Sequence, residues 1–212
     1  KIGSQNKLHS DALSKEFLSV ETEWNPLSFS ESGPLEIQEI VFAGYGIRPK
    51  GLVNQSEYDS YTHLDVKDKC VMVLGGLPDA WNEEDKEKLR YEGTFQKKAR
   101  IARDLKAKAI IFINPEEDDP VSFSKSFANE MISIKSFSLN RDFVRKIFLS
   151  NARDFEKVHS KIAKGEPYMG FALSKVSLFS LVGIGTQQFL TGRQFQRRYH
   201  RPLDVSCRNQ FF

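Results

Sequence analysis

The sequence predicts an α/β fold: a mixed β-sheet, or an open barrel-like sandwich, flanked by helices. Three observations carry this. Cys70–Leu74 and Ala109–Ile113 are uninterrupted apolar runs of strand length, suited to burial on both faces. Between them, Phe95, Ala99, Ala102, Leu105 and Ala109 recur at spacings of three and four, an amphipathic stripe. Strand, helix and strand joined by a short return favour parallel pairing.

The remaining elements follow in order. Leu13, Phe17 and Val20 fall at helical spacing and suggest a short helix. Trp24–Phe29 alternates large apolar and small polar residues, and Pro26 makes it an edge strand, since proline cannot donate to a ladder. Glu31-Ser32-Gly33-Pro34 is a turn. Leu35, Ile37 and Ile40–Ala43 read as one strand over 37–43. Further strands are expected near 69–74, 109–113 and 131–137. Helices are expected near 95–106, capped by Thr94, and over 141–163, capped by Asn140 and interrupted at Ser150-Asn151. Asp79–Glu87 is acidic with room for one helical turn. Residues 171–183 read as one long strand or a bent pair. Lys97, Lys98, Arg100, Arg103, Lys106 and Lys108 are placed on the solvent side or flank of the first main helix, and His159 on the polar side of the last.

Composition narrows the function classes. Of 212 residues, 40% are apolar and 28% charged, ordinary for a folded domain. A net charge of +3 gives no concentrated basic face for nucleic acid. No apolar run reaches the length of a transmembrane helix. The first residue is Lys1, so the start reads as a processed or trimmed end. Cys70, inside an apolar strand, reads as a buried thiol, and its pairing with Cys207 stays open.

Chemistry-bearing motifs are sparse. His63-Leu64-Asp65 has a His-x-Asp spacing but lies in the turn before Cys70, without neighbouring ligands; Asp65 there suits a turn, accepting from backbone N–H groups. Glu116–Asp119 lacks the glycine and spaced oxygens of a calcium loop. Gly44-Tyr45-Gly46 and Gly75-Gly76 lack the lysine and helix start of a phosphate loop. No serine sits in a nucleophile elbow. Metal ligands and catalytic residues are therefore expected to be none.

The stretch Val41–Leu74 carries a resemblance. Gly44-Tyr45-Gly46-Ile47, Tyr58-Asp59-Ser60-Tyr61 and Leu64-Asp65-Val66-Lys67-Asp68-Lys69, continued by Tyr91–Lys98 and Ala102–Ile113, resemble the protease-associated (PA) domain inserted in secreted bacterial zinc aminopeptidases of the M28 type. The resemblance can be followed to Leu181. It implies an N-terminal extension over 1–34, a PA-like domain over 35–184 and a divergent basic tail over 185–212, where the family's catalytic half would otherwise start. It implies a non-catalytic module that holds a peptide or protein, or gates access to a peptidase site. Zinc is expected only in a catalytic domain beyond this chain, and the location is expected to be extracytoplasmic. Loops 48–62 and 77–93 are the expected contact surfaces, with Tyr45, Tyr58, Tyr61, Trp81 and Tyr91 as aromatic contacts and Gly44, Gly46, Asp65 and Lys67 as structural turn residues. The alternatives are an incomplete zinc aminopeptidase and a small-ligand binding domain. One departure stands out: the family places Gly-Ala where this chain has Lys106-Ala107, so Lys106 would be strained if φ is positive there.

Overall fold

The computed structural model describes residues 6–10, 17–49, 58–122, 131–166, 168–174 and 178–182. The expected helix near 13–20 falls partly outside them, as do most of loop 48–62, the arginines of the tail, and Cys207.

The chain order is β1 (Lys7–Ser10), β2 (Trp24–Pro26), β3 (Gly33–Ile37), β4 (Ile40–Phe42), β5 (Cys70–Leu74), α1 (Glu83–Lys88), α2 (Phe95–Asp104), β6 (Ala109–Ile113), β7 (Lys135–Leu139), α3 (Arg141–Ser150), α4 (Phe155–Ala163), β8 (Phe171–Leu173) and β9 (Leu178–Val182). Six strands form a mixed sheet in the order β2-β7-β6-β5-β4-β8, and three form a smaller sheet in the order β1-β9-β3. The fold is thus mixed α/β. β4, β5, β6 and β7 run parallel, with Cys70 opposite Ala109 and Ile40 opposite Cys70. β2, with its Pro26, is an edge strand paired only to β7.

The central strands are buried on both faces, and the alternation of their side chains sorts the core into two layers. Val71, Val73, Ile110 and Phe112 pack with Ala99 and Ala102 of α2. Cys70, Met72, Leu74, Ile111 and Ile113 pack with Phe143, Ile147 and Phe148 of α3 and Phe155 and Ile162 of α4. Leu8, Leu35, Ile37, Leu178 and Val182 of the small sheet join this second layer. Four caps fix the helix starts: Asn82, Thr94, Asn140 and Asp154 accept from the N–H groups of Asp85, Lys97, Phe143 and Lys157.

Two strand expectations are corrected. The run over 37–43 is two strands in different sheets. Gln38 and Glu39 part them, so β3 pairs with β9 while β4 pairs with β5 and β8. The strand placed at 131–137 is Lys135–Leu139. Ile132 and Ile134 are buried without laddering, because their backbone bonds go to Phe29 and Glu31 in the loop after β2.

Candidate functional site

The carboxyl ends of the parallel strands converge on an open cleft of about 460 Å³. Tyr45, from the turn after β4, forms one side. Gly75, Gly76 and Leu77, after β5, form the floor, and Pro115 and Glu116, after β6, form the far side. Gly93 and Thr94 bring in the start of α2, while Asp79 and the Glu83, Lys86, Glu87 and Arg90 side of α1 make a charged rim. Lys86 is paired with Glu83 at 3.0 Å and Arg90 approaches Glu87 at 3.8 Å.

Glycine is required at Gly76 in the floor and at Gly46 beside the cleft. Gly46, φ +63°, follows Tyr45, and a Cβ there would overlap Val73 of β5. Gly76, φ +67°, faces open space, leaving the main chain bare toward the cleft.

Beneath the floor lies Lys98. Its side chain is fully buried; Nζ donates to Leu74 O at 2.7 Å and to Gly76 O at 2.5 Å, and stands 5.6 Å from the Tyr45 ring centre. Burial pushes its pKa well below the ordinary lysine value. This corrects its expected place on the solvent side. Lys98 is three residues after Phe95 and four before Ala102, so it lies on the apolar stripe itself, the signal that could have found it.

The sequence-derived aromatic residues are dispersed. Tyr45, Tyr61 and Trp81 are core residues, Tyr58 is half-buried edge-to-face on Trp81 at 5.4 Å, and Tyr91 is 56% exposed. Only Tyr45 lines the cleft. Its phenol is held well above its ordinary pKa by burial and by the Asp79 and Tyr58 charges. The Tyr61 hydroxyl is buried without a hydrogen-bond partner. Gly44 has φ +53°, and the Asp65 carboxylate accepts from Lys67 N–H at 3.2 Å in the turn leading to β5.

Other reactive groups sit away from the cleft. Cys70 is a free thiol, fully buried, and burial raises its pKa. His159 is stacked on Phe155 at 5.7 Å with Nε2 buried, and burial and the Arg141 charge lower its pKa, so it is not the solvated residue the helix pattern suggested. Among the described residues no group of three or more His, Cys, Asp or Glu could hold a metal ion. No helix there is long and apolar enough to cross a membrane.

Neither a family model nor a curated protein matches the sequence. Solved structures do. An aminopeptidase from Aneurinibacillus sp. strain AM-1 shares 15% identity at a TM-score of 0.46, covering 86% of this chain and 31% of that one. A zinc aminopeptidase from Bacillus subtilis shares 14% identity at a TM-score of 0.45, covering 86% of this chain and 32% of that one. The chain therefore spans about a third of the length of these enzymes.

Proposed function

We propose that this chain is a protease-associated module that holds an extended polypeptide, or gates a peptidase site, and performs no catalysis itself. The observation that carries this reading is the cleft at the carboxyl edge of β4, β5 and β6. Its size suits a few residues of peptide, and crevices at this edge of a parallel sheet are the usual ligand sites of α/β folds. Bare backbone at Gly76 can meet a peptide main chain. Leu77, Tyr45 and Pro115 offer apolar contact, and the charged rim contributes side-chain selection. Cys70 and Tyr61 are built into the core and do not line the cleft. The sequence resemblance in Val41–Leu74 and Tyr91–Ile113 supports the same reading, with the module outside the cytoplasm and next to a peptidase domain.

The test is backbone NMR shift mapping with a pooled tetrapeptide library. Shifts confined to Tyr45, Gly75–Leu77, Asp79, α1 and Thr94 are expected. Shifts elsewhere, or none, sink the reading. The second reading, a piece of a zinc aminopeptidase that is active alone, is decided by metal analysis together with hydrolysis of an aminoacyl-anilide. Stoichiometric zinc with turnover would replace the first reading with the second.

A further inference from the structure

Besides the Gly75 N–H bond to Ile113 O, the cleft floor is held by one buried side chain. The amine of Lys98 crosses from α2 to the turn after β5 and takes both Leu74 O and Gly76 O. A neutral amine has two N–H donors, which these two carbonyls satisfy. An ammonium carries a third proton, and the group facing it is the Tyr45 ring at 5.6 Å. Among the described residues no carboxylate pairs with Lys98, so a charge there would be met only by two carbonyl dipoles and a ring face, in a fully buried position. The nearest relief is outward. Gly75 stays bonded through its N–H to Ile113 O at 2.9 Å, whereas Gly76 is exposed with nothing within 4 Å of a built Cβ, so Gly76 is the part of the turn with room to move into the cleft.

We propose that Lys98 is a latch on the cleft: its amine holds the Leu74–Gly76 turn closed against α2, and adding a proton to that amine releases the turn. Burial, which disfavours the charged form, supplies the driving force for release. The proposal rests on the reading of the cleft as a peptide site and adds its regulation. A closed turn presents the Gly76 main chain in one conformation, which favours an extended ligand by removing an ordering cost.

The titratable and charged groups on the surrounding elements are Tyr45 after β4, Tyr58, Asp79 after β5, Glu83, Lys86, Glu87 and Arg90 on α1, Glu92 before α2, Lys97 on α2, Glu116 after β6 and His159 on α4. A Lys98→Met variant keeps all of them, so it separates their titration from that of Lys98.

The experiment follows the ¹³C shifts of Lys98 Cε and of Gly75 and Gly76 Cα in the labelled protein as pH is lowered, with amide-exchange protection of Gly75–Leu77 read in parallel. Lys98 and the two glycines should move with one midpoint. In Lys98→Met the glycines should not respond, and protection of Gly75–Leu77 should fall at least tenfold while β6 and α3 keep theirs. Glycine shifts that ignore the Lys98 titration, that persist in the variant, or a variant with parental protection each overturn the latch. Should the variant fail to fold, the co-titration in the parent protein alone decides. Tetrapeptide binding is measured separately. Peptides that bind the parent at least tenfold more tightly than the variant support the regulatory role, and equal binding overturns it. If no peptide binds the parent, the peptide reading fails, while the latch is still judged by the shifts.

Discussion

The Lys98 amine and the Tyr45 ring face each other 5.6 Å apart under the cleft, one from α2 and one from the turn after β4. Because burial lowers the folded-state pKa of Lys98 from its ordinary 10.5, the unfolded chain holds more protons in the window between the two values. Stability therefore rises with pH through that window. Relative to Lys98→Met, the parent should gain up to about 1.4 kcal/mol per pH unit there. Urea unfolding of both proteins at a series of pH values measures this; parallel curves would show that no such difference in proton binding exists.

Gly46→Ala combines a positive φ with a Cβ directed into Val73. The left-handed conformation and the overlap together should cost about 2–4 kcal/mol. Chemical denaturation reads the loss, and a variant within about 0.5 kcal/mol of the parent would mean the turn re-forms another way.

Lys106 adopts φ +65° just after α2, where Asp68 N–H bonds its carbonyl at 2.9 Å. Lys106→Gly relieves the left-handed strain but loosens the unfolded chain. A net gain of about 0.5–1 kcal/mol is expected by thermal or urea unfolding. A loss would place the lysine's aliphatic contacts above its backbone strain.

Tyr61→Phe removes a buried hydroxyl that has no partner, while keeping the ring in its core cluster. The variant should be as stable as the parent or gain about 1 kcal/mol. A marked destabilisation would reveal a bound water or other acceptor at that hydroxyl.

Much of the sheet could be read from the chain because its central strands are locally explicit. Ala109–Ile113 is strand from end to end as expected, and the caps Thr94 and Asn140 sit where side-chain chemistry places them. Pairing across the chain left weaker traces. Nothing local tells that Leu35 and Ile37 serve one sheet and Ile40 and Phe42 another, since both pairs are apolar and alternation is compatible with either. Ile132 and Ile134 read as strand because burial and β-branching look the same in a packed loop. Of the cleft, the turn residues Gly44–Gly46 were visible, whereas Lys98 was not, because charge normally signals solvent. Its position on the apolar stripe was the overriding signal, and the carbonyls that receive it come from a distant strand.

β9 lies between β1 and β3, with Lys7 opposite Leu181 and Ile37 opposite Leu178. Two early segments thus wait for one late one. During synthesis the six-stranded sheet can assemble most of its parallel core while β1 and β3 still lack their shared neighbour, so closure of the small sheet belongs to the last stage of folding. A chain stopped before Leu178 would leave β1 and β3 with unpaired backbone edges, each an invitation to self-association.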